Sequence, residues 1–126
     1  MLKSCFRTRA EKAIAFDSAD IYPVISSEFC LGRPVLDIFR AVAEGGAKLV
    51  QLREKHQGKR VLFDLAVACR PIANEYGILL IINDHVDVAL AANAAGVHLG
   101  QEDLQIGRAS CRERVYICTG AESGKK

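Results

Sequence analysis

The sequence lacks several features that would place it in a common class of protein. It contains no run of about 18 or more apolar residues, and its first nine residues lack the apolar stretch of a secretory signal. Its five cysteines are odd in number and form no C-x-x-C pair, which argues against both a disulfide framework and a zinc site. We therefore expect a cytoplasmic protein with ordinary thiols and no membrane contact.

Aromatic residues are scarce and charge is nearly balanced. Aromatic side chains make up 6% of the 126 residues, and the net charge is +2. Residues 1–104 hold twelve basic and thirteen acidic side chains, whereas residues 105–126 hold five basic and two acidic ones. Because the basicity is confined to the last segment and few rings are available for stacking, no nucleic-acid partner is expected. The composition is that of one globular domain.

Short apolar runs alternate with helical patterns through the middle of the chain. Strands are predicted at Ile21–Ser26, Lys48–Arg53, Ile78–Asn83 and Val97–Gly100. The third run is almost continuously apolar, as expected for a strand that is covered on both faces. Helices are predicted around Val35–Val42, Leu62–Tyr76 and Val86–Ala95, each followed by glycine. This alternation is typical of consecutive parallel βα units and predicts an α/β fold.

The chain is predicted to divide into three parts. Residues 1–20 form an N-terminal extension, residues 21–104 carry the βα pattern, and residues 105–126 show no such pattern. The string Ile106–Val115 resembles the conceptual translation of a sequencing adapter, which favours a tail unrelated to the domain, a sequencing or frame artefact. The alternative is a genuine basic C-terminal segment.

The end of the second predicted strand carries a set of polar side chains. Alternation along a strand places Gln51, Arg53 and Lys55 on one face. An amide, a guanidinium and an ammonium on one face suit a polyanion, since arginine binds two phosphate oxygens at once and lysine adds a point charge. The alternative is a solvated strand end without a ligand.

Acidic and amide residues follow the next two strands. Asn83 and Asp84 come directly after the third strand, and Asp103 lies shortly after the fourth. Asp84 is interpreted either as a helix N-cap or as a ligand for Mg²⁺, and Asp103 either as a cap or turn residue or as a second ligand. Two carboxylates at neighbouring strand ends match the usual way of holding Mg²⁺, together with the phosphates of its ligand.

These three segments together resemble a known family. Val50–Lys55, Ile82–Asp84 and Gly96–Asp103 are similar, in order and spacing, to three signature motifs of thiamine phosphate synthase. The resemblance implies a TIM (β/α)8 barrel, of which residues 21–104 would be roughly the first four βα units. It also implies a transferase that joins hydroxymethylpyrimidine diphosphate to thiazole phosphate and releases pyrophosphate.

The resemblance further implies roles for individual residues. By that likeness the side chains of Gln51, Arg53, Lys55 and Asn83 contact the pyrimidine diphosphate, and those of Asp84 and Asp103 hold Mg²⁺. No acid–base residue is assigned. Residues matching the family's later motifs are not found in residues 105–126, so this chain is expected to be an N-terminal fragment that is inactive alone and self-associates through open barrel edges. The alternatives are a thiazole-tautomerase-like barrel and a non-catalytic half barrel.

Overall fold

The structure is a computed structural model that describes residues 10–12 and 17–100, and the backbone of residues 114–117. Within these residues the strands are β1 Val24–Ile25, β2 Leu49–Leu52, β3 Leu79–Asn83, β4 Gly96–Leu99 and β5 Arg114–Ile117. The helices are α1 Val35–Glu44, α2 Lys59–Tyr76 and α3 Val86–Ala91, and a 3-10 turn spans Ser27–Phe29. The four predicted parallel strands are all present, with boundaries shifted by a few residues.

The strands form one sheet in the order β1-β2-β3-β4-β5. The first four are mutually parallel, with Gln51 paired to both Val24 and Ile81. Because the four strands are parallel, all of them begin at one end of the sheet and finish at the other. The loops after β1, β2 and β3 therefore meet at the end of the sheet where the strands finish, which we call the carboxyl rim.

The first two helices lie where their apolar spacing predicts them. Helix α1 starts directly after Pro34, whose fixed backbone suits a helix start, and α2 runs without interruption through Pro71. Gly77 then adopts a left-handed backbone with φ of 70°, and its N–H bonds the carbonyls of the last turn. Helix α2 therefore ends in the glycine cap that the sequence predicts.

The third helix is shorter than predicted. It ends at Ala91 rather than Ala95, because Asn93 adopts a left-handed backbone with φ of 58°, which asparagine tolerates better than most residues. The N–H of Ala94 then bonds the carbonyl of Ala89, and the N–H of Ala95 bonds that of Leu80. The chain thus passes directly from α3 into β4.

Alternation along the strands divides the apolar residues between two faces of the sheet. Val50, Leu52, Leu80 and Ile82 point to the helices and form the main core with Phe39 and Leu62. Leu49, Leu79 and Ile81 form a second cluster on the other face, packed against Tyr22. Buried side chains on both faces are the pattern expected in a parallel sheet, and the second face corresponds to a barrel interior.

A fifth strand is the main departure from expectation. The sequence predicts no strand after residue 104, and this is wrong for Arg114–Ile117, which pairs antiparallel to β4 with Val97 opposite Tyr116. Val115, Tyr116 and Ile117 are residue types that favour strands, but a run of four offers too short a pattern to recognise. The described sheet is therefore parallel over four strands and mixed at its β5 edge.

Two of the five cysteines lie among the described residues, and both are free thiols, as predicted. Cys30 and Cys69 are free and buried, and burial raises the pKa of Cys69 to about 12. A thiol with so high a pKa stays protonated at neutral pH and is a poor nucleophile. Across the stretches that the structure describes, no helix is both long and apolar enough to span a bilayer.

Candidate functional site

The carboxyl rim brings together two of the predicted charged residues. Lys55 follows β2 and Asp84 follows β3, and the lysine Nζ lies 2.9 Å from the aspartate Oδ2. The Lys55 side chain is 43% exposed and that of Asp84 is 15% exposed, so the pair is accessible from the rim. The two residues are 29 positions apart in sequence and meet because neighbouring parallel strands end at the same edge.

Asp84 is held in place by its backbone. Its φ of 74° lies in the left-handed region, which is uncommon for a residue other than glycine but tolerated by aspartate. The backbone N–H of Asp84 donates to the carbonyl of His98 at 2.8 Å, which extends the bonding between β3 and β4 by one residue. The N-cap position of α3 is occupied by His85, without a side-chain capping bond. Asp84 therefore lies one residue before the N-cap of α3, at the carboxyl rim.

Arg53 and Asn83 lie at the ends of β2 and β3 and precede this pair closely in sequence. Each follows directly after the paired residues Leu52 and Ile82 on the neighbouring strands. The Arg53 side chain is half-buried, and Asn83 is almost fully buried, with 3% of its surface exposed. The backbone N–H of Arg53 donates to the carbonyl of Ile25 at 2.9 Å and so fixes the end of β2 against β1.

Gln51 lies deeper than the charged residues, on the inner face of the sheet. It is 3% exposed, and its Nε2 donates to the hydroxyl of Tyr22 at 2.8 Å. The same hydroxyl lies 3.4 Å from Nδ1 of His98, so Tyr22, which precedes β1, links Gln51 of β2 to His98 of β4. Burial raises the pKa of Tyr22 to about 12, partly offset by the bond from Gln51. The phenol is therefore neutral at any physiological pH.

The sequence contains no indication of two members of this hydrogen-bonded group, Tyr22 and His98. Tyr22 precedes β1 by two residues, and nothing in the local pattern indicates that its ring packs against the inner face of the sheet. The sequence assigns no role to His98, and it is the pairing of Asn83 with His98 that shows it lies on the same face as Gln51. Such contacts depend on the order of strands in the sheet, which short motifs do not specify.

The second predicted magnesium ligand, Asp103, lies outside the described residues. Within residues 17–100 no three histidine, cysteine or carboxylate side chains come together as a metal site. The carboxylate of Asp84 still fits Mg²⁺, which commonly takes one or two protein carboxylates and fills its other positions with water and ligand phosphates. The chemistry of the donor is therefore suitable, and the cation of Lys55 beside it suits an anion that the metal would share.

The fold and the rim define a parallel α/β protein of the barrel type, with cations and a carboxylate at the edge where such proteins bind ligands. The sequence model of the thiamine monophosphate synthase family matches residues 21–124. The chain therefore belongs to the thiamine monophosphate synthase family. The match includes most of residues 105–126, whose unrelated origin stays a prediction.

Individual relatives agree with this assignment. The chain is 40% identical over 96 residues to "Thiamine-phosphate synthase" of Caldicellulosiruptor saccharolyticus, covering 76% of this chain and 43% of that protein. It is 47% identical over 90 residues to the protein of the same name from Methanoculleus marisnigri, covering 71% and 43%. A solved structure, thiamine phosphate pyrophosphorylase from Pyrococcus furiosus, matches with a TM-score of 0.60 and 36% identity over 68% of this chain and 41% of that one. The chain thus spans less than half the length of these relatives.

Proposed function

We propose that this chain carries the diphosphate and Mg²⁺ part of a thiamine phosphate synthase site. The reaction would join the methylene carbon of hydroxymethylpyrimidine diphosphate to the ring nitrogen of thiazole phosphate and break the bond from that carbon to the diphosphate oxygen. The observation that carries the proposal is the 2.9 Å pair of Lys55 and Asp84 at the carboxyl rim, in a chain of this family.

The charges at the rim suit a departing diphosphate. Negative charge grows on that group as its bond to carbon breaks, and fixed cations beside it lower the barrier. Arg53 and Lys55 would supply two such cations, and Asn83 an amide for hydrogen bonding. Asp84, and by the resemblance Asp103, would hold Mg²⁺, which when bound neutralises charge on the diphosphate oxygens.

The neutral polar groups beneath the rim suit the other end of the substrate. Gln51 is buried on the inner face of the sheet, and its amide donates to the hydroxyl of the partly buried Tyr22. Uncharged hydrogen-bonding groups in a shielded site fit a heterocyclic ring better than a diphosphate. We therefore infer that Gln51 contacts the pyrimidine rather than the phosphates. Shielding also protects a cationic pyrimidine intermediate from water.

The function is tested by supplying both substrates with Mg²⁺ and measuring thiamine phosphate by mass spectrometry. We expect the chain to bind Mg²⁺–pyrophosphate, and we expect product from the chain extended by its own downstream coding sequence. Absence of product from the extended chain would contradict the proposal. Product from the 126-residue chain alone would contradict the expectation that it is inactive without further segments. The cytoplasmic location stays a prediction.

Replacing Arg53 with alanine should weaken pyrophosphate binding by roughly 1.5 to 3 kcal/mol, the size of a hydrogen bond to a charged group. Titration calorimetry with Mg²⁺–pyrophosphate measures the loss. Arg60→Ala is the matched control, because Arg60 is an exposed arginine of α2 that pairs with Asp64 four residues along the same helix. We expect that control to bind like the wild type. Equal affinity of all three proteins would contradict a phosphate role for Arg53.

Self-association through a sheet edge is also part of the proposal. β1 lies at one edge of the sheet, and the nearby apolar side chains of Ile21 and Val24 are 71% and 51% exposed. An edge strand with exposed apolar side chains is open to pairing with another chain. Light scattering of the purified chain would show a mass above 13.7 kDa if this edge pairs.

A further inference from the structure

The residue between Arg53 and Lys55 in the sequence is a buried carboxylate. Glu54 separates Arg53 from Lys55 in sequence, yet it is only 6% exposed, and it is the one acidic side chain that is buried among the described residues. Its Oε2 accepts the backbone N–H of Ser27 at 2.9 Å, and its Oε1 accepts the Ser27 hydroxyl at 2.8 Å. Because a buried carboxylate is costly without partners, these two bonds fix where Glu54 can lie.

The bonds join the loop after β2 to the turn after β1. Backbone pairing of these strands extends as far as the N–H of Arg53 and the carbonyl of Ile25, and Ser27 begins the 3-10 turn just beyond it. Glu54 therefore continues the connection by one side chain past the end of the backbone ladder. The segment that it fixes is the one that carries Arg53 and Lys55.

We propose that Glu54 is a positioning residue for the diphosphate site, an inference that rests on the proposed function. Alternation along the strand turns residue 54 away from the face to which Arg53 and Lys55 belong, so Glu54 acts through the backbone between them. With that backbone fixed to Ser27, the guanidinium and the ammonium are held ready for the anion. Without it, the loop must be ordered on binding, and affinity falls.

Two substitutions separate positioning from charge. Glu54→Ala removes both bonds, and we expect it to weaken Mg²⁺–pyrophosphate binding about 10-fold. The affinity is measured by calorimetry at a temperature well below the melting temperature of the variant. Glu54→Gln can keep both bonds, because its amide oxygen accepts the Ser27 N–H and its amide N–H donates to the Ser27 hydroxyl. It also removes a negative charge near an anion site, so we expect wild-type affinity or up to roughly threefold tighter binding.

Further variants distinguish positioning from stability. Ile72→Val removes one buried methyl group from the core far from the rim, and it should lower the melting temperature without changing pyrophosphate affinity. Ser27→Ala removes only the hydroxyl bond and should weaken binding roughly threefold, which keeps the test open if Glu54→Ala does not fold.

The outcomes separate this inference from the proposed function. A wild-type chain that binds while Glu54→Ala and Ser27→Ala bind equally well would overturn the role of Glu54 alone. Weaker binding by Glu54→Gln, equal to that of Glu54→Ala, would also overturn it, because the charge and not the connection would then matter. A wild-type chain that binds no Mg²⁺–pyrophosphate would overturn the proposed function and this role with it.

Discussion

Replacing Asp84 with asparagine should weaken the binding of Mg²⁺–pyrophosphate by roughly 10- to 100-fold, equivalent to about 1.5 to 3 kcal/mol. The substitution preserves shape, and asparagine tolerates the left-handed backbone found at this position, so the fold should persist. What is lost is the charge of an oxygen ligand for a hard cation. Calorimetry at fixed Mg²⁺ measures the change in affinity.

The same variant has an expected effect of opposite sign without metal. In the presence of a chelator, Asp84→Asn should bind free pyrophosphate at least as tightly as the wild type, because a negative charge beside Lys55 has been removed. Asp87→Asn is the matched control: Asp87 pairs with Lys59 at 2.8 Å but is exposed on α3, and its loss should change neither affinity. Unchanged binding by Asp84→Asn would refute the metal role of Asp84, and binding that needs no Mg²⁺ at all would favour a thiazole-tautomerase-like barrel.

That Lys55 and Asp84 lie close together could be predicted from the sequence, because the prediction requires only two facts. Each residue follows an apolar strand, and neighbouring parallel strands end at one edge of a sheet. The apolar runs of β2 and β3 supply the first fact, and the alternation of strands with helices along the sequence supplies the second. Helices α1 and α2 follow in the same way from apolar spacing, and Gly77 marks the end of α2.

The parts that could not be predicted depend on contacts between distant segments. The bond between Glu54 and Ser27 joins residues 27 positions apart in two loops, and the contact of Tyr22 with His98 spans 76 positions. The spacing of apolar residues along the sequence does not predict such contacts, because they depend on where the strands lie in the sheet. The early end of α3 depends on a single left-handed residue, Asn93, within an alanine-rich run that otherwise favours a longer helix.

The second large effect is expected in the core beneath the site. Phe39 of α1 is fully buried between the helices and the sheet, so Phe39→Ala should lower the free energy of unfolding by about 3 to 5 kcal/mol. Small domains have only about 5 to 15 kcal/mol in total, so this loss is a large share of the stability. Urea unfolding followed by circular dichroism measures it.

Two variants make the result decisive. Phe29→Ala makes the same chemical change at a side chain that is 76% exposed and should alter stability by less than about 0.5 kcal/mol. Phe39→Leu keeps most of the volume and should cost roughly 1 to 2 kcal/mol, which can be measured even if Phe39→Ala does not fold. Phe39 packs in one core with Leu52 and Ile82, the last buried apolar residues before the rim on β2 and β3. If Phe39→Leu and Phe29→Ala cost the same, then α1 does not support the strand ends on which Arg53 and Asp84 depend.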